Sequence, residues 1–240
     1  MSPGILYLIS TPIGNLGDFS HRAVETLKTV DWIACEDTRH SKTLLDHYGI
    51  QKPLVSYHDF SEKKRAPELI ARILEGQNAA LISDAGTPGI TDPGFRLIQE
   101  AIRRNVRLEA VPGASAFLTA LVLSGLPMNR FIFEGFAPLK EGAKKKWLQS
   151  LQEETRTVIF YESPHRLLKT LRAMKEVLGD VPVVVARELT KKFEEVFRAD
   201  LSAQIHHFSN KKIQGEFVVL LNPAHLDGEK SLNGLHESRA

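Results

Sequence analysis

Residues 79–94, AALISDAGTPGITDPG, pass from four apolar side chains straight into a run of Gly, Pro and polar residues. A short apolar run closed at once by turn formers reads as a buried strand that opens into a loop. The same sentence recurs along the first half of the chain. Residues 5–9 run into STPIGNLGD, 32–35 into EDTR, 54–57 into HDF and 108–111 into PGASA. The stretches RAVETLKTV, SKTLLDHYG, KRAPELIARILEG and GFRLIQEAIRRN lie between them, with apolar residues at three-and-four spacing, and several end in Gly or Asn. That spacing predicts helices with C-caps. Strands alternating with helices through short connections predict a parallel sheet covered on both faces. Ligands of such sheets sit beyond the carboxyl ends of the strands, where every one of these loops emerges.

After SGLP at 124–127 the rhythm changes. FIFEGF, TVIFY, VPVVVARELT, EEVFRAD and GEFVVLLNP form a second set of strands, with helices predicted at KKKWLQSLQEE and HRLLKTLRAMKEVLG. VPVVVARELT and EEVFRAD leave no room for a helix between them, so they predict an antiparallel pair and hence a mixed sheet. The expected organisation is two α/β domains, residues 1–120 and 121–224, with the junction near 115–128 and a cleft between them. Residues 225–240 have little periodicity and are expected to be mobile.

Composition narrows the class. Of 240 residues, 42% are hydrophobic and 25% charged, with 31 basic against 29 acidic side chains and a single cysteine. Disorder, a membrane span and a disulfide-stapled scaffold each require a different balance. The opening MSPGILYLIS has no basic leader and meets Thr11-Pro12 at once, so it reads as a first strand, and a cytoplasmic location is expected. Cys35, inside WIAC, is expected to be a buried thiol without a metal or disulfide partner.

Several loops can carry chemistry. DAGTPGITDPG offers backbone N–H groups to a polar ligand, while Asp84 and Asp92 suit ribose hydroxyls or an ammonium better than phosphate. A structural turn is the plain alternative, and the phosphate-cradling GxxxxGK[ST] pattern is missing. TPIGNLGD imitates a dinucleotide turn, with Glu36 about 20 residues downstream as a ribose contact, but it lacks the third glycine. VPGASAF permits close backbone approach, with Ser115 as a helix cap or a ligand contact. EDTRHSK and ESPHR place mixed charges at strand ends. The basic runs at 63–65 and 144–146 read as exposed and, with other lysines such as Lys191, Lys192, Lys211 and Lys212, as a phosphate-binding surface.

Taken in order, LYLISTPIGNLGD, IACEDTR, LISDAGTPGITDPG, VPGASA, FEGF and FYESPHR resemble the ribosomal RNA small subunit methyltransferase I family, within the tetrapyrrole methylase fold class. The resemblance spans about residues 6–223. It implies an S-adenosylmethionine-dependent enzyme, with the cofactor in the cleft between its two domains, that methylates a cytidine 2'-oxygen in the decoding region of 16S ribosomal RNA, and a homodimer; in-line methyl transfer requires no metal, and none is expected. The resemblance does not extend to the C-terminal helical extension of longer members, so no RNA contact there is among the expectations. The cofactor-contacting segments of the fold class are similar to Ile9–Pro12 at the first strand end, Asp84, Ala85, Gly86 and Thr87, and Ser115 with Ala116. Asp84 is the expected polar anchor. Tyr161, Glu162, Leu189, Glu216 and Phe217 are expected to close over the adenine. Arg39, Lys42, His165, Arg166, Lys144 and Lys145 are expected on RNA. A positioned base would assist the weakly acidic hydroxyl, and Asp37, His58, Asp59 and Glu162 are candidates among which the sequence does not choose. The competing readings are a corrinoid or porphyrin methyltransferase of the same fold and, more distantly, an NAD-dependent oxidoreductase.

Overall fold

The computed structural model describes residues 2–58 and 62–224. The chain divides into two compact units, Met1–Ser115 and the residues from Ala116 onward.

The first unit runs β1 (Ile5–Ile9), α1 (His21–Thr29), β2 (Trp32–Cys35), α2 (Thr38–His47), β3 (Leu54–Ser56), α3 (Glu62–Leu74), β4 (Ala79–Ile82), α4 (Phe95–Arg103) and β5 (Arg107–Val111). Its five strands form one parallel sheet in the order β3-β2-β4-β1-β5. The period of two along a strand sorts its side chains between two helical layers. Trp32 and Ala34 of β2, with Ala79 and Leu81 of β4, pack in one cluster with Leu69, Ile70 and Ile73 of α3 and Leu97 of α4. Ile33, Cys35, Ala80 and Ile82 pack in the other, with Ala23 and Leu27 of α1 and Leu44 and Leu45 of α2. Both faces being covered explains why these strands are continuous apolar runs. Cys35 is buried and unpaired, and burial pushes its thiol pKa up, which makes it an inert core side chain.

The second unit runs α5 (Ala116–Ser124), β6 (Phe131–Phe136), α6 (Glu141–Ser150), β7 (Thr157–Glu162), α7 (Leu167–Leu178), β8 (Pro182–Arg187), β9 (Glu195–Asp200), α8 (Leu201–Ser209) and β10 (Phe217–Leu221). The sheet order is β6-β7-β10-β8-β9. Only β6 and β7 pair in parallel; β10 runs against β7 and β8, and β8 against β9, so the sheet is mixed as the short β8–β9 spacing requires. Val158, Phe160, Val183, Val185, Val219 and Leu221 pack with residues of α6, α7 and α8 in one core. Helix α8 has no counterpart in the sequence reading. Its inward stripe includes Gln204, which is wholly buried and donates to the carbonyls of Val183 and Phe197, so a polar residue occupies a core position and hides the periodicity. Among the described residues no helix is long and apolar enough to cross a membrane.

Candidate functional site

In the first unit the loops after β1, β4 and β5 leave the same sheet edge and are tied together. Thr11 and Gly86 exchange both backbone hydrogen bonds, at 2.8 and 3.1 Å. The Thr11 hydroxyl donates to the Ser83 carbonyl at 3.0 Å, and Ser83 Oγ donates to the Gly86 carbonyl at 3.0 Å. Ser10 Oγ and Thr87 Oγ1 stand 2.9 Å apart in a hydrogen bond. Two glycines are required. Gly86 has φ +79°, and a Cβ on Gly113 would stand 3.0 Å from Ser10 Cβ and 3.3 Å from its carbonyl oxygen. The result is a surface of small residues, Ala85, Gly86, Gly113, Ala114 and Ser115, held by buried hydroxyls. The partly exposed Asp84 carboxylate stands at its margin and accepts from the Asp37 backbone N–H at 3.3 Å.

The rest of the β4–α4 loop is braced from below. Gly94 donates its N–H to the buried Glu62 carboxylate at 2.7 Å, and Arg96 lies 3.7 Å from the other oxygen. The Tyr57 ring is fully buried, and burial, with the Glu62 carboxylate beside it, raises its hydroxyl pKa well above the usual tyrosine range. Glu62 had no signal of its own in the sequence, because a glutamate at a helix start looks like any solvated first-turn acid.

In the second unit the register places Glu162, Phe217 and Arg187 abreast. Tyr161, Glu162, Leu189, Glu216 and Phe217 therefore share one sheet edge. The side chains of Leu189 and Phe217 are buried, Phe217 within the core of this unit. Glu162 is the centre of a charged network: its carboxylate accepts from the Ser163 N–H at 2.7 Å and the Thr170 hydroxyl at 2.6 Å, and pairs with Arg166 Nη2 at 2.6 Å. Thr170 Oγ1 in turn accepts from Lys144 Nζ at 2.7 Å. Arg166 is further fixed by the Ser163 hydroxyl and the Ala137 carbonyl.

One expectation is corrected by this network. Lys144 is not an exposed RNA contact; it is 4% exposed, because α6 turns it to the same inward face as Leu148. Burial depresses its pKa against the opposing pull of Glu162. Arg166 is partly exposed and bonded to Glu162, Ser163 and Ala137. Glu162, offered as both a base and an adenine contact, has a buried side chain whose carboxylate bonds to Ser163, Thr170 and Arg166.

The remaining candidates separate. Asp37 caps α2, accepting from Arg39 N–H at 2.8 Å, and its carboxylate also binds the Arg39 guanidinium. Those contacts hold its pKa below the usual carboxylate range, which weakens it as a base. Arg39 is highly exposed; Lys42 binds Asp46 one turn on; Lys145 binds Glu176; His165 is exposed. The His58 carbonyl accepts the Glu62 N–H at the start of α3. Asp59 and the 225–240 tail lie outside the described residues. Among those described, no three His, Cys, Asp or Glu side chains cluster as a metal site.

The model of the tetrapyrrole (corrin/porphyrin) methylases matches residues 5–204. Cobalt precorrin-4 methyltransferase superposes with a TM-score of 0.64 over 93% of this chain and 96% of its own, at 18% identity, a likeness of fold alone. Much nearer in sequence are two proteins named ribosomal RNA small subunit methyltransferase I. That of Synechocystis sp. is 50% identical over 91% of this chain and 78% of its own, and that of Thermotoga maritima 46% identical over 91% and 98%. The chain belongs to the ribosomal RNA small subunit methyltransferase I family of the tetrapyrrole methylases.

Proposed function

We propose that this protein transfers a methyl group from S-adenosylmethionine to the 2'-oxygen of a cytidine in the decoding region of 16S ribosomal RNA, acting in the cytoplasm as a homodimer. The observation that carries the reading is the near-full-length identity with relatives bearing the ribosomal RNA methyltransferase name. The corrinoid or porphyrin alternative has only the fold in its favour, at 18% identity. The oxidoreductase alternative loses its basis with the family and with the missing third glycine.

The first-unit edge fits the donor. Ala85, Gly86, Gly113 and Ala114 allow close backbone approach, and Ser115 adds a hydroxyl. The Asp84 carboxylate complements an ammonium or ribose hydroxyl where a pyrophosphate would be repelled. S-adenosylmethionine, when bound, supplies an electrophilic methyl carbon on a sulfonium. The chain's own work is to hold the acceptor in line and exclude water, with the Thr11–Gly86 bridge and the Ser10–Thr87 bond keeping the loops rigid. Arg39 and His165 remain exposed for RNA. Leu118, Val122 and Leu123, exposed on the apolar helix α5, support the homodimer.

Incubation with methyl-tritiated S-adenosylmethionine and small ribosomal subunits lacking the modification tests the reading. Label is expected in the RNA. Label in a tetrapyrrole acceptor, with none in RNA, would overturn it.

A further inference from the structure

The hairpin turn between β8 and β9, residues 188–194, is held in an unusual shape. Glu188 and Thr190 have φ of +50° and +67°, a region that side chains other than glycine rarely enter. Surrounding bonds fix them there. Glu188 N–H donates to the Glu216 carbonyl at 3.0 Å, and Glu216 N–H returns to Glu188 Oε1 at 3.0 Å. Lys191 Nζ bridges Glu188 Oε1 at 3.0 Å and Glu216 Oε2 at 2.8 Å. Thr190 N–H donates to Glu194 Oε2 at 2.6 Å, closing the turn. Gly215 has φ +96°, and a Cβ there would come within 2.5 Å of the Glu188 side chain, so the Glu188 carboxylate packs directly over this glycine.

All this order ends in a large apolar side chain facing water. Phe193 is 65% exposed, and the ammonium of Lys192 stands 5.6 Å from its ring centroid. Lys191 is neutralised by two carboxylates, whereas Lys192 has no carboxylate partner among the described residues. The register of β7, β10 and β8 brings this turn to the same sheet edge as the Glu162–Arg166 turn.

We propose that Phe193 and Lys192 form a stacking platform for an unpaired base of the RNA substrate, the ring taking the base and the ammonium the adjoining phosphate. The proposal rests on the RNA-methylation reading above. An aromatic face beside a free cation is the combination that binds single-stranded nucleic acid with little sequence preference. A contact with a second protein copy calls for a continuous apolar patch. Phe193 instead lies between the charged Lys192 and Glu194 in the turn.

The test is fluorescence anisotropy of a labelled single-stranded oligocytidylate with the intact protein. Phe193→Ala is expected to weaken binding about tenfold with an unchanged salt slope, and Phe193→Trp to restore it. Lys192→Gln is expected to lower the salt slope by about one contact. Calorimetry should show S-adenosylmethionine affinity unchanged in all three, and thermal unfolding should show the fold intact. Unchanged oligocytidylate affinity in Phe193→Ala overturns the platform. So does a fall in particle mass by light scattering in that variant, which would make Phe193 a contact between copies. If wild type methylates RNA while Phe193→Ala loses no RNA affinity, only the platform fails. If wild type binds the cofactor and neither binds nor methylates RNA, the underlying reading fails with it.

Discussion

Replacing Glu162 with Ala removes the acceptor for the Ser163 N–H, the Thr170 hydroxyl and the Arg166 guanidinium, whose bonds are all 2.6 or 2.7 Å long. It leaves Arg166 half-buried and Lys144 buried with no opposing charge in the network. Removing one partner of a buried ion pair costs about 3–5 kcal/mol, chiefly because the stranded charge stays out of water. In a chain of this size each kcal/mol is worth about 2–4 °C of unfolding temperature, so a fall on the order of 10 °C is expected. Glu162→Gln keeps the volume and one acceptor oxygen, and should lose roughly half as much. Circular dichroism melts of the three proteins under one buffer provide the comparison. A Glu162→Ala protein that melts within about 1 °C of wild type refutes the anchoring role. If that protein were also inactive, the carboxylate would stand as the favoured candidate base.

Four other substitutions probe further parts of the account. Lys144→Met fills the same space without a buried ammonium and should be neutral or stabilising at pH 7. The folded pKa of Lys144 lies below its ordinary value of 10.5, so the unfolded chain holds more protons just under that pH. Wild-type stability relative to Lys144→Met should then rise with pH as 10.5 is approached, and paired urea titrations at neutral and alkaline pH that show no such rise would contradict the burial. Asp84→Ala should weaken S-adenosylmethionine binding by about 1.5–3 kcal/mol in calorimetry with the fold unchanged; an unaltered affinity removes Asp84 from the site. Gly94→Ala puts a Cβ 3.0 Å from Leu81 Cδ2 and 3.1 Å from the Gly89 nitrogen at φ +147°, and should cost about 1–3 kcal/mol in urea unfolding. Gly49→Ala, at φ +64° with open space around it, should cost only about 1 kcal/mol, and equal losses would show that crowding at Gly94 does not matter.

What could be read from the sequence followed from how each layer is built. A parallel sheet buried on both faces leaves uninterrupted apolar runs, so β1, β2 and β4 stand out, and their loops share an edge by topology alone. Helix α8 was hidden because buried Gln204 satisfies strand carbonyls from a position where an apolar residue is expected. The charged residues were misjudged for a related reason. A lysine run looks solvated, yet Lys144, Leu148 and Leu151 lie at three-and-four spacing and all three are buried. That spacing was the available signal. Its partners Thr170 and Glu162 are distant in sequence, and no local pattern joins them. The same holds for Glu62 with the Gly94 N–H, and for Glu216 with Lys191, contacts between residues that only the fold brings together.

The most direct test is to identify the product. Small ribosomal subunits lacking the modification would be incubated with the enzyme and S-adenosylmethionine, and their 16S RNA digested to nucleosides for mass spectrometry. The account predicts 2'-O-methylcytidine, with the added methyl retained on the sugar when the glycosidic bond is cleaved. A methyl group that leaves with the free base, or an RNA that gains none while the enzyme binds its donor, would contradict it.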